Sequence, residues 1–232
     1  MIETLSTYWD FLKSPKLLKQ ITNRKTLWSE FLWLLMVSLL FAGLILSFYI
    51  VLAHFKVIKE YEEKLDFLKK YGVTVAFIIA CVFAPIFEEY LFRWHLRKRY
   101  ATVYFLCFSF AIITIYLIDS SYLIWPILIF FLTLSFVLHG YLKRISTSRR
   151  LSIWNKTYPF VFYFTAIFFG IVHFTNMKGL TLSDPSFLIY TSSQMFSGIS
   201  MGYLRIKFGI KYSILFHGVF NFILMILEFV FG

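Results

Sequence analysis

Between Phe31 and Ala53 the chain carries no charged residue. A stretch of that length leaves few structures open. About 20 apolar residues in a helix match the roughly 30 Å hydrocarbon core of a bilayer. Inside that core only a helix or a closed barrel satisfies its own backbone. The pattern then recurs. Apolar runs predict spans at about 27–55, 73–87, 102–118, 122–138, 158–174, 186–204 and 210–230, seven in all. The sixth is the most diluted, by Thr191, Ser192, Ser193, Gln194 and Ser197. Composition excludes the alternatives. Hydrophobic residues reach 59% and charged residues only 15%, whereas soluble domains hold roughly 45–50% and 25%. A soluble globule lacks the polar surface to cover so much apolar mass, and a disordered chain is far more polar. The expected fold is all-α, a polytopic membrane helix bundle of about seven spans.

The net charge of +11 is read as membrane orientation and not as nucleic-acid binding, because the basic residues sit between the apolar runs. With the N-terminus inside, 17 of the 23 lysines and arginines fall in inner segments and 6 in outer ones. That asymmetry favours a multi-pass protein of the cell membrane, N-terminus cytoplasmic and C-terminus outside. Residues 1–27 mix Tyr8, Trp9, Phe11 and Leu12 with lysines and read as an interfacial segment. Residues 28–72 hold the first span and an outer loop. In that loop Glu60, Glu62, Glu63 and Asp66 interleave with lysines, which predicts a solvated amphipathic helix. The basic, Ser/Thr-containing stretch 143–156 is expected to be a flexible linker. Cys81 and Cys107 lie in apolar runs and suggest no disulfide framework.

Ionisable groups within spans are costly and are functional candidates. They are few here: Glu88 and Glu89 in the second span, His173 in the fifth and His217 in the seventh. Asn221 follows His217 by four residues, which puts both on one helix face. Arg93 follows Glu89 by four, a good ion-pair spacing. Adjacent carboxylates in low dielectric do not both ionise cheaply, so one can serve as a base toward water. Arg93 then holds the other charged. His173 can orient the water, and His217 and Asn221 can donate to a developing oxyanion. The set describes a water-activating hydrolase built from three helices.

Three motifs carry these residues in order. Glu88-Glu89-Tyr-Leu-Phe-Arg93 fits E-E-x-x-x-R, Phe169-Gly-Ile-Val-His173 fits F-x-x-x-H, and His217-Gly-Val-Phe-Asn221 fits H-x-x-x-N. Together, from about Val73 to the C-terminus, they resemble the CAAX protease and bacteriocin-processing (CPBP) family of intramembrane glutamic endopeptidases, which includes the type II CAAX prenyl endopeptidases. The resemblance implies that Glu88 activates water with His173, that His217 and Asn221 hold the oxyanion, and that Glu89 and Arg93 support them. It implies a domain over 73–232. Two features depart from the pattern. Trp94 stands where the family usually has glycine, and Glu88 and His173 are 85 residues apart. The third and fourth spans, at about 101–140, read as an inserted helix pair, whose even number preserves the topology.

The expected function is hydrolysis of a peptide bond at or within the cytoplasmic half of the bilayer. The substrate would be a peptide precursor or a lipidated or other membrane protein, and no cofactor is expected. Glu88, His173 and His217 could instead hold zinc with one open position, the alternative metal reading. A catalytically silent immunity or scaffold protein that binds a peptide or membrane partner is the non-enzymatic alternative. A proton-coupled transporter ranks last, since no repeat of two halves is visible. Gly198-Ile-Ser200-Met-Gly202 spells G-x-S-x-G, but a nucleophile elbow needs a strand–turn–helix. Close helix packing through G-x-x-x-G is the reading taken. The sequence carries no signal for oligomeric state.

Overall fold

The chain is described from a computed structural model, over residues 2–21, 23–59, 61 and 71–231. It is an all-helical membrane bundle. In chain order the described helices are α1 (Ile2–Lys13), α2 (Arg24–His54), α3 (Val73–Arg97), α4 (Arg99–Ile118), α5 (Ile124–Arg144), α6 (Thr147–His173), α7 (Ser186–Lys207) and α8 (Ile210–Phe231). All of these except α1 and α7 are long and apolar enough to cross a membrane, six helices in total. The expected amphipathic helix of the first outer loop falls mainly on residues 60 and 62–70, outside those described.

The diluted sixth span of the sequence is α7, and its place in the bundle explains its polarity. Thr191, Ser197, Ser200 and Met201 have no exposure. Neighbouring helices, not lipid, surround it, so its hydroxyls find protein partners. Thr191 donates to Phe187 O at 2.8 Å and Ser38 donates to Ser200 at 3.2 Å. Helices in lipid gain little from apolar contact alone and associate through close packing at small residues. α7 runs antiparallel to α6 on three such contacts. A Cβ at Gly170 would meet Met195 Cγ at 2.3 Å, one at Gly198 would meet Phe169 at 3.3 Å, and one at Gly202 would meet Phe162 at 2.8 Å. The G-x-x-x-G reading of Gly198 and Gly202 therefore describes what they do. Ser200 bonds toward α1 and α2, with Tyr8 at 3.4 Å.

The stretch 143–156 corrects one expectation. It is not a flexible linker. α5 continues to Arg144 and α6 begins at Thr147, capped by the Ser146 side chain at 3.3 Å from Arg149 N. The serines and threonines that suggest a loop serve as a cap and as helix-surface residues, and Trp154 is buried. Pro159 lies inside α6 without ending it.

The described part of the N-terminal segment does more than lie along an interface. Tyr8 and Phe11 enter the core, where Phe11 meets Phe162 and Tyr203 edge-on at 5.0 Å. Tyr163 donates to Leu12 O, and Arg97 reaches Leu18 O at 2.9 Å and Ile206 O at 2.6 Å. A buried ion pair lies beneath them, with Lys207 Nζ 2.6 Å from Glu30 Oε1 and Tyr203 bonded to both. The α4–α5 hairpin packs at the side, with Ser135 the one fully buried residue of α5.

Candidate active site

α3 enters the bundle through an irregular turn. Val73–Ile78 is α-helical, Ile79–Phe83 forms a π turn, and Ala84–Arg93 resumes the α-helix with Pro85 near its start. A π turn inserts a residue and frees backbone carbonyls. Two carbonyls of this turn are met from α8. Asn221 donates to Ala80 O at 2.8 Å, and Gly218 lies so close to Cys81 O that a Cβ would stand 2.4 Å from it. The π turn sets the rotation of everything after it, including Glu88 and Glu89.

Those two glutamates face different surroundings. Glu89 and Arg93 both have no exposure and pair at 2.8 Å. Glu89 also accepts from Ser213 and from His217 Nδ1, the latter at 3.1 Å. Arg93 lies over the Phe169 ring, 3.7 Å from its centroid. Two hydrogen-bond donors and an ion-paired guanidinium thus hold one carboxylate. A buried charge of this kind persists only with such partners.

Glu88 remains partly open, its side chain 29% exposed. Its Oε2 is itself buried and has no hydrogen-bond partner. Two imidazoles converge on that oxygen, His173 Nε2 at 3.7 Å and His217 Nε2 at 3.8 Å. The tautomer of each ring follows from its other nitrogen. His173 Nδ1 is 2.7 Å from Phe169 O, an acceptor, so Nδ1 carries the proton. His217 Nδ1 faces the Glu89 carboxylate and carries its proton likewise. In the neutral rings both Nε2 lone pairs therefore point toward Glu88. Distances of 3.7 and 3.8 Å exceed a direct hydrogen bond and suit a bridging water.

Glu88, Glu89 and Arg93 on α3, His173 on α6 and His217 on α8 are thus brought together. Asn221 is near, but at least one of its two N–H groups serves Ala80. Glu88, His173 and His217 supply the donor types of a zinc hydrolase. Among the described residues, however, no group of three such side chains is arranged to hold an ion. The α4–α5 hairpin contributes no residue to the site. Ser213 and Phe169 were missed as partners. Ser213 had a signal, since it precedes His217 by four residues on the Asn221 face. Phe169 stood in the motif, but its contacts with Arg93, His173 and His217 needed three helices.

A family model described as type II CAAX prenyl endopeptidase Rce1-like matches residues 70–223. No curated protein and no solved structure matches the chain.

Proposed function

Because the chain belongs to the type II CAAX prenyl endopeptidase Rce1-like family, we propose that it is an integral-membrane endopeptidase and that Glu88 is its base. The observation that carries this reading is the unbonded Glu88 Oε2 with two Nε2 atoms at 3.7 and 3.8 Å. A water between Glu88 and His173 donates one proton to each lone pair and keeps its own lone pair for attack. As its oxygen bonds to the peptide carbonyl carbon, the proton passes to Glu88. The carbonyl oxygen becomes the oxyanion. The C–N bond then breaks, and the proton held by Glu88 goes to the leaving amine.

His217 has an oxyanion role only when Nε2 also bears a proton, since its lone pair faces Glu88 otherwise. The Glu89 carboxylate lies across the ring to balance the imidazolium, as the acid of a catalytic triad does for its histidine. Asn221 contributes to the oxyanion through the N–H not given to Ala80. Removing one oxyanion donor typically costs about 10²–10³ in rate. The substrate class that the family implies is a peptide or a prenylated or other membrane-associated protein.

The test compares membranes holding wild type, Glu88→Gln and His173→Ala at matched levels, with new peptide termini counted by mass spectrometry. Termini made only by wild type are the expected result. A chelator should leave their production intact. If chelation stops it and added zinc restores it, the metal reading with Glu88, His173 and His217 replaces this one. The silent scaffold reading draws on the engagement of Asn221 with Ala80. Equal termini in all three membranes, with partner binding retained in Glu88→Gln, would favour it.

A further inference from the structure

Three helix ends carry positive charge that no acidic side chain balances. Lys98 and Arg99 stand at the start of α4, Lys143 and Arg144 at the end of α5, and Arg149 and Arg150 at the start of α6. Two residues, Ile145 and Ser146, separate α5 from α6, and Arg150 donates to the Tyr100 hydroxyl, so the three ends meet. From Tyr90 to Ser183 the sequence holds one acidic residue, Asp119, which lies past the far end of α4. Among the described residues none of the six basic side chains is in an ion pair. Those at the starts of α4 and α6 also stand where the helix backbone is itself positive, a place that favours anions.

One of these arginines is held in place. Arg150 donates to Thr147 at 3.0 Å as well as to Tyr100, and its guanidinium lies 5.9 Å from the centre of the Tyr100 ring. Tyr100 in turn stacks on His139 at 4.8 Å, and His139 Nδ1 is 2.9 Å from the Tyr104 hydroxyl. Two of the five guanidinium N–H groups of Arg150 are thereby used. Its Nε and the Nη1 of Arg99 have no hydrogen-bond partner among the described residues, and charged donors are costly to leave unmade. An oriented guanidinium with spare donors matches a phosphate group.

The same chain of contacts leads to an apolar groove. Tyr104 is its first lining residue, one turn into the bilayer from Tyr100. The groove runs between α4 and α5, holds about 190 Å³ and is lined by Cys107, Phe108, Leu128, Phe131 and Leu132. Along α5, Leu132, Phe136, His139 and Lys143 recur at helical spacing, so one face passes from exposed apolar side chains to basic ones. A soluble anion would use the basic half of this surface and leave the groove empty. We infer that the meeting of α4, α5 and α6 binds an anionic glycerophospholipid of the leaflet at the basic end. Arg99 and Arg150 take its phosphate, and the groove below Tyr104 takes an acyl chain. The lipid ties the hairpin, which adds no residue to the site, to α6. This inference is independent of the endopeptidase reading.

Thermal unfolding in dodecyl maltoside tests it. Dioleoyl phosphatidylglycerol, dioleoyl phosphatidylcholine, glycerol phosphate and a polyglutamate peptide are added in turn. Phosphatidylglycerol should raise the Tm of wild type, and the other three should not. Arg99→Gln with Arg150→Gln should raise the lipid concentration for half of that shift by about tenfold. Lys16→Gln with Lys25→Gln, a charge-matched pair in the N-terminal segment, should respond as wild type does. Equal responses from the two double variants would reduce the surface to diffuse positive charge and overturn the site. Phosphatidylcholine acting as well as phosphatidylglycerol would overturn the anionic headgroup, and glycerol phosphate acting as well would replace the lipid by a soluble phosphate. An equal shift with polyglutamate would replace it by an acidic protein. Should the double glutamine variant fail to fold, Arg99→Lys with Arg150→Lys keeps both charges and loses the planar fork. Its response should fall too, and an unchanged one overturns the site.

Discussion

Phe169 touches three groups of the site at once. Arg93 stacks on its face, and the His173 and His217 rings meet it at 4.5 and 5.8 Å. Its carbonyl also fixes the His173 tautomer. A side chain with no polar atom thus aligns the polar ones around Glu88. The Glu89–Arg93 pair carries the greater energetic weight. Both partners have no exposure, and removing one partner of a buried pair costs about 3–5 kcal/mol. Arg93→Ala and Glu89→Ala should each lower stability by about that amount in detergent unfolding, whereas Glu88→Gln should leave stability near wild type. Equal losses in all three would remove the energetic distinction between the buried and the partly open glutamate. Outside the spans, the Tyr61 hydroxyl and Ser186 N–H hold the Asp184 carboxyl below the usual carboxylate range. A depressed carboxyl contributes stability that is present above its unfolded value, about 3.9, and is lost as pH falls through the folded value. Tyr61→Phe should make Asp184 protonate at a higher pH in an isotope-edited infrared titration. An unchanged midpoint would show that the hydroxyl is not the cause.

At the scale of elements, the π turn of α3 and the small-residue face of α8 are one device. Asn221 answers the Ala80 carbonyl, and Gly218 admits the Cys81 carbonyl at a distance no side chain allows. Gly218→Ala puts a methyl group against backbone that has no flexible end to yield. Overpacking of this kind costs about 1–3 kcal/mol. The variant should lose activity as well, because a shift of α8 moves His217 from Glu88. Retained activity with reduced stability would separate the helix contact from the site geometry. The α5–α6 corner illustrates the limit of local reading. Ser146 and the basic residues after it suit a linker as well as a capped helix. The burial of Trp154 against the bundle is a tertiary fact that favours the helix. α7 makes the same point in reverse, since a polar composition that weakens a span in lipid is suited to a helix enclosed by others.

The whole molecule is asymmetric from end to end. One end is basic and strapped by the N-terminal segment. Toward the other, α6 ends at His173. The strap is integral to the bundle, because Phe11 is buried at 4% exposure against Phe162 and Tyr203. Phe11→Ala should cost about 3–5 kcal/mol, the range for a buried phenylalanine. A surface-level effect in thermal unfolding would mean that residues 1–21 are dispensable to the bundle. The hairpin of α4 and α5 meets this core through Phe105, which packs on Phe92, His95 and Phe168, and adds no residue to the site.

The amino-acid sequence suffices for the membrane class, nearly every span and the three motifs whose residues the bundle brings together. Each of these is written in local pattern: the length of an apolar run, a four-residue spacing, an ionisable residue where lipid penalises it. It also marked Glu89 with Arg93, because one helix carries both. The rest depends on contacts between distant segments. Ser213 and His217 reach Glu89 from α8 across more than a hundred residues, Phe169 binds three helices together, and Asn221 is drawn to a carbonyl that exists as an acceptor only because α3 is irregular. The difference between Glu88 and Glu89, adjacent and identical in type, is likewise tertiary. One faces an arginine and two hydrogen-bond donors inside the bundle, and the other faces two imidazole nitrogens at the edge of it.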